Sequence, residues 1–177
     1  CADDATGVTV TYATITATDN CSSSVSQTDV SGLTNGNVFP VGTTPQQWTA
    51  TDGTNSVACD FNVIVNATPV AAYSYSPSCE GESTFFTDES TIDASTTIST
   101  WAWDMGDGSS SIGLVDPIHA FGDTGMYDVE LVVISTEGCS DTATQTDGTT
   151  ALGVGVVPQC LDVETTAAAP GVGLVPQ

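Results

Sequence analysis

Apolar and polar residues alternate along much of this chain with a period of two. In SVACDFNVIVN, residues 56–66, Val57, Cys59, Phe61, Val63 and Val65 share one face. MYDVELVVI, residues 126–134, repeats the pattern with Tyr127, Val129, Leu131 and Val133, and VTVTY, residues 8–12, with Val8, Val10 and Tyr12. Successive side chains of a strand point to opposite faces, so this period predicts half-buried strands. Turn-forming clusters punctuate the runs: SGLTNGN, TDGTN, MGDGSSS and FGDTG. No stretch of helix length carries an amphipathic 3.6-residue period. The many threonines agree, because β-branched side chains suit a pleated surface. The expected fold class is all-β.

NATP, residues 66–69, reads as a joint: a strand end, a polar residue, then proline. It separates two stretches that each suit one small Ig-like β-sandwich. After residue 147 the texture becomes rich in Gly and Thr, and GVGVVPQC (153–160) is echoed by GVGLVPQ (171–177). The expected division is a first sandwich over 1–66, a second over 67–147, and an extended tail over 148–177.

Composition narrows the function. The chain has 177 residues, 22 Asp and Glu, one His and no Lys or Arg. Phosphate neutralisation needs cationic side chains, so a nucleic-acid partner is excluded, and an anionic membrane surface with it. No uninterrupted apolar run reaches the roughly 18 residues that would span a bilayer, so no membrane insertion is expected. Self-repulsion among the carboxylates must be relieved by salt or bound cations. The acidity reads either as a solvated surface in a salty medium or as specific Ca²⁺ sites, which take carboxylate and carbonyl oxygens. The calcium candidates are Asp104 and Asp107 in the MGDG turn and the acidic loops around Asp19 and Asp52, although no D-x-D-x-D-G loop is present. Six cysteines (Cys1, Cys21, Cys59, Cys79, Cys139 and Cys160) form no C-x-x-C pair. With a single imidazole available, they point to disulfides in an oxidising compartment.

Catalytic chemistry finds little support. His119 is the sole imidazole, no G-x-S-x-G occurs, and no cation exists to hold an oxyanion. Asp104 and Asp107 are the obvious carboxylate pair for glycoside hydrolysis, against a plain role in bracing the turn. Trp101 and Trp103 flank Ala102 and so face the same way, into the core or outward as a sugar-stacking platform. An N-terminal Cys1 can also be read as a lipidated residue.

Two sets of motifs carry family resemblances. ATDNC (17–21), SGL (31–33), FPVGTT (39–44), TATDGTN (49–55) and ACDFNVIV (58–65) together resemble the hyalin repeat (HYR) domain. TFFTDES (84–90), WAWDMGDG (101–108), DPIHAF (116–121) and GMYDVELVV (125–133) resemble a polycystic-kidney-disease (PKD) domain, with Met105 where that family usually has an aromatic residue. The resemblance implies extracellular, non-catalytic Ig-like modules, with the two aspartates bracing a turn and His119 structural. It also implies that the first sandwich lacks its own first strand, which would ordinarily supply a cysteine to an inward-facing Cys59. QCLDVETTAAAPG (159–171) has the order of such a strand, so Cys160 is expected to pair with Cys59 of a neighbouring unit, with Val157, Leu161 and Val163 as apolar contacts. The alternative is a tail that folds back on its own domain. Within single sandwiches, Cys1 is expected to pair with Cys21 and Cys79 with Cys139.

The expectation is therefore a non-enzymatic unit of an extracellular filament or adhesive fibre on a bacterial surface or appendage. Identical units would join head to tail by strand donation and disulfides. The alternative is a carbohydrate-binding or spacer module of a larger secreted adhesin or hydrolase, with surface glycans as partners.

Overall fold

The computed structural model describes residues 1–2, 7–20, 23–76, 82–123 and 125–145. Cys21, Cys79, Cys160 and the whole expected tail strand, with Val157, Leu161 and Val163, lie outside them. The described residues form twelve strands and no helix.

The first unit contains β1 (Val8–Thr9), β2 (Ser24–Gln27), β3 (Val38–Phe39), β4 (Gly42–Thr51) and β5 (Ser56–Val65). β4 and β5 make a ten-residue antiparallel hairpin closed by the TDGTN turn, and β2 pairs with the other edge of β4. This gives a sheet in the order β2-β4-β5, faced by a small β1-β3 ladder. The core is correspondingly small. Ala2, Phe39, Val63 and Val65 are buried, with Val10, Tyr12, Leu33, Val41 and Phe61 packed against them.

The second unit contains β6 (Tyr73–Tyr75), β7 (Ser83–Asp88), β8 (Ile98–Asp104), β9 (Ser110–Ile112), β10 (Ile118–Ala120), β11 (Val129–Ser135) and β12 (Ser140–Gln145). A three-stranded sheet, β10-β7-β6, faces a four-stranded one, β12-β11-β8-β9. β11 is central in the larger sheet, and its period-two pattern buries Val129, Leu131 and Val133 completely. They pack against Tyr73, Phe86, Trp103, Met105 and Phe121. Tyr73 packs edge-on to Trp103 with ring centroids 5.1 Å apart, an arrangement that the opposed charge of ring face and ring edge favours.

Three of the pattern readings change in detail. β11 begins at Val129, not Met126. The Val8–Tyr12 run forms only a two-residue strand, while Val10 and Tyr12 still pack on the core. In β5 only the lower half of the alternating face is covered: Val63 and Val65 are buried, whereas Val57 is 68% exposed. The upper half has no second layer among the described residues, and a short ladder such as β1-β3 cannot supply one.

The two units meet where the joint was expected. Ala2 N–H donates to Asn66 O, Thr68 N–H donates to Ala2 O, and Ala2 forms a parallel bridge with Ala67. Beside this bridge, Cys1 is disulfide-bonded to Cys139 with a Cα–Cα distance of 5.8 Å. The pairings expected from single sandwiches, Cys1 with Cys21 and Cys79 with Cys139, are thereby corrected. The parallel bridge brings the start of the first unit to the joint, within reach of the turn between β11 and β12.

Candidate functional site

Three places carry unusual chemistry. The first is the turn between β8 and β9. Asp104 Oδ1 accepts a hydrogen bond from Gly106 N–H at 2.9 Å, and Asp107 Oδ1 accepts one from Ser109 N–H at 2.8 Å. Each carboxylate thus folds over its own backbone two residues on, which is how Asp stabilises a tight turn. Asp107 Oδ2 also lies 2.7 Å from His119 Nε2, with both side chains 19% exposed. Burial pushes the Asp107 carboxyl up, but hydrogen bonds from His119 and Ser109 outweigh it and leave the pKa below its ordinary value. The His119 ring stands edge-on to Phe121, centroids 4.6 Å apart. His119 and Asp107 therefore lock strand β10 to the turn.

The tryptophans settle next to the same sheet. Trp103 is 1% exposed and donates from Nε1 to Leu114 O at 3.1 Å. Trp101 donates from Nε1 to Asp88 Oδ2 at 2.7 Å and packs on the core. They share one face, as their spacing requires, and that face looks inward, so they make no sugar-stacking platform.

The second place is a polar network inside the first unit that sequence reasoning missed. Gln46 is fully buried. Its Nε2 donates to Ser31 Oγ at 3.0 Å, while its Oε1 lies 3.3 Å from both Tyr12 Oη and Gln27 Nε2. Asp29 gathers the rest, accepting from the Ser31 hydroxyl, from Gln47 N–H at 3.0 Å and from Gln27 Nε2 at 2.7 Å. The Ser31 hydroxyl, the Gln47 amide and the other donors hold its carboxyl far below the usual range. The SGL motif was the available signal, because Ser31 is the hub between Asp29 and Gln46.

The third place is the open half of the first sandwich. β5 is the outer strand of its sheet among the described residues. Cys59 is exposed there and has no disulfide partner among the described residues. It shares the face of Val57 and Val63, so its side chain belongs to the inner face, but that face is uncovered at this height. Trp48, opposite Cys59 on β4, has a buried Nε1 without a hydrogen-bond partner. Above it, a cavity of about 210 Å³ is lined by Ala17, Asp19, Ala50, Asp52, Asn55 and Val57, among others. Two of the calcium candidates, Asp19 and Asp52, thus come to one cavity, while Asp104 and Asp107 sit apart in the second unit. Asp52 is already engaged by Asn55 N–H at 2.6 Å and Thr54 N–H at 2.7 Å, which lower its pKa. Among the described residues no three His, Cys, Asp or Glu converge as a metal site.

Comparison with known families accounts for the two sandwiches. Residues 2–65 match the HYR domain, and residues 66–151 match the PKD domain. The chain is a HYR domain followed by a PKD domain. Similar proteins include a microbial collagenase of Vibrio alginolyticus, 42% identical over 73 residues. The match covers 41% of this chain and 9% of the collagenase, so the chain spans only a small part of that relative. Among solved structures, the PKD1 domain of the Vibrio cholerae metalloprotease PrtV is 32% identical, covering 44% of this chain and 91% of that one, with a TM-score of 0.39. The PKD1 domain of Vibrio anguillarum Epp is 28% identical, covering 50% and 95%, with a TM-score of 0.41. In this chain the PKD motif turn, Asp104 to Ser109, is closed by hydrogen bonds from its own backbone to the two aspartates.

Proposed function

We propose that this chain is a non-catalytic spacer module of a larger secreted bacterial protein, exposed outside the cell. The observation that carries this reading is the joint. The HYR and PKD domains are held together by both a backbone bridge at Ala2–Ala67 and a disulfide at Cys1–Cys139. A hinge with two independent ties is suited to holding distance and direction, and the disulfide belongs to an oxidising compartment. Support comes also from the PKD-matching region of the Vibrio collagenase, where such a domain accompanies a much larger chain. Of the two alternatives to a filament, spacing is favoured over carbohydrate binding because Trp101 and Trp103 turn inward. The chemistry is passive: His119 and the turn aspartates hydrogen-bond to the fold itself.

The test is small-angle X-ray scattering of the chain, oxidised and reduced, with Cys139→Ser as a control. A spacer gives one fixed domain arrangement in the oxidised state and a broadened one after reduction. Freely jointed domains in the oxidised protein would overturn the reading.

A further inference from the structure

The buried network of the HYR domain sets a nucleophile, a base and an acyl carbon side by side. Gln46 projects from β4 and is fully buried. Ser31 lies in the connection after β2, 15 residues away in sequence, and its Oγ is 3.0 Å from Gln46 Nε2. An amide C–N bond is about 1.33 Å long, so the carbonyl carbon Cδ is no more than about 4.3 Å from that oxygen. The Ser31 hydroxyl donates its proton to Asp29 Oδ1. Leu33 N–H donates to Ser31 Oγ at 3.2 Å, and Ser31 N–H donates to Asp29 Oδ1 at 2.9 Å, so the hydroxyl is held in place. Tyr12 Oη and Gln27 Nε2 both direct donors at Gln46 Oε1 from 3.3 Å. Donors so placed polarise the carbonyl, and they tighten as negative charge develops on its oxygen. A buried glutamine needs partners for its amide. It does not need a hydroxyl whose proton is already committed to a carboxylate, and that feature sets this cluster apart.

We propose that Ser31 and Gln46 join in an intramolecular ester, made by the folded domain without a cofactor or a second enzyme. The Gln46 amide turns about its last side-chain torsion, a soft one, and presents the face of Cδ to Ser31. Ser31 Oγ attacks Cδ, and the Oγ–Cδ bond forms as the hydroxyl proton passes to Asp29. The carbonyl electron pair moves onto Oε1, where Tyr12 and Gln27 hold it. The pair returns as the Cδ–Nε2 bond breaks, and Nε2 takes the proton from Asp29 and leaves as ammonia. One hydroxyl and one amide give one ester and one ammonia, with no oxidant or reductant.

Holding the two groups in one site gives the hydroxyl a high effective concentration at the carbon. Burial of Gln46 keeps water, the competing nucleophile, away from it. Ammonia is lost to bulk solvent, which draws the exchange forward. The Ser31 hydroxyl, the Gln47 amide and the other donors hold the Asp29 carboxyl far below the usual range, so it is ionised and ready to accept at any ordinary pH. The same donors make it a weak base and the step a slow one, which a bond formed once in the life of the molecule tolerates. The ester ties the connection after β2 to β4, in the domain with the smaller buried core among the described residues. Unlike a disulfide, it survives reduction. The proposal goes beyond the spacer reading and does not rest on it.

The experiment incubates the full chain at neutral pH, then reduces, alkylates and digests it with chymotrypsin. Cuts after Tyr12, Leu33 and Trp48 leave Ser31 and Gln46 in separate peptides, 13–33 and 34–48. Mass spectrometry should find these two peptides joined and lighter than their sum by one ammonia. Mild alkali should part them and leave a carboxylate at position 46. Ser31→Ala should abolish the joined pair, and Asp29→Asn should slow its appearance roughly a hundredfold. Amide exchange along the β4–β5 ladder reports whether each variant is folded. Parent peptides that stay separate after prolonged incubation would overturn the proposal, and that result needs no substitution, so a misfolded variant cannot obscure it. Ammonia loss confined to peptide 34–48, the mark of a succinimide at Asn35–Gly36, would overturn it as well. So would a joined pair in Ser31→Ala, or a parent-like rate in Asp29→Asn. Each of these results leaves the scattering test of the spacer reading untouched.

Discussion

Tyr73 shows how much one polar atom in the PKD core controls. Its hydroxyl donates to Val129 O at 2.6 Å from a side chain that is 4% exposed. Burial disfavours the phenolate and pushes its pKa up to about 12. A folded pKa above the unfolded value of about 10 means that this stability is complete below pH 10 and declines as pH rises towards 12. Ultraviolet titration should therefore show one tyrosine ionising only with unfolding, and Tyr73→Phe should cost about 1 kcal/mol in urea melts at pH 7. Asp107 has the opposite sign. Its folded pKa is depressed, so its contribution is present above about pH 4 and is lost as pH falls through the folded value. His119→Ala removes the partner and the edge contact with Phe121, and should cost about 1 kcal/mol at neutral pH, with partial exposure limiting the ion-pair share. In that variant acid destabilisation should begin at higher pH, and an unchanged acid limb would refute the role given to this contact. Sequence made these residues visible as a motif. The Asp107–His119 bond itself was not readable, because it depends on how β10 packs over the turn.

At the scale of elements, the WDMGDG turn provides a sharper test. Gly106 has φ +73°, and a Cβ there would lie 2.5 Å from Asp128 O. Gly108 has φ +91° with open space around it. Both glycines permit left-handed backbone, but only the first also lets two backbones approach. Gly106→Ala should therefore cost roughly 3 kcal/mol and Gly108→Ala roughly 1 kcal/mol, read as shifts of the denaturant midpoint. Equal costs would mean that the contact with Asp128 is relieved at no expense. Period two made β11 legible because that strand is flanked on both edges and covered on its face, so every alternate residue is buried. The same pattern in β5 misled about its upper half. Periodicity reports which residues share a face, and it cannot report whether another layer covers that face. The open edge of β5 thus appears only in the structure, although the family resemblance had raised the idea of a missing strand.

At the scale of the molecule, the joint decides how the domains answer to stress. Two sandwiches were legible in the strand count and in the NATP joint, but the link between them was not. Cys1 and Cys139 are 138 residues apart, and spacing within each sandwich suggested nearer partners. What brings them together is the parallel bridge of Ala2 beside Ala67, a tertiary feature without a sequence signature. The consequences for the two domains are unequal. Among the described residues, Ala2 is one of four buried hydrophobic residues in the HYR core, and Cys1 anchors it. Cys139 lies in a turn whose flanking strands keep a six-pair ladder without it. Cutting the bridge removes a long-range constraint worth up to roughly 5 kcal/mol in the chain-entropy model, and that loss should fall mainly on the HYR domain. Calorimetry of Cys139→Ser should then show two transitions, with the HYR transition markedly lowered and the PKD transition nearly unmoved. The PKD core, with eight buried residues among the described ones, including Trp103, Phe86 and Phe121, supplies its own stability. A variant whose two transitions fall together would mean that the domains unfold as one unit, with the backbone bridge rather than the disulfide as the dominant tie.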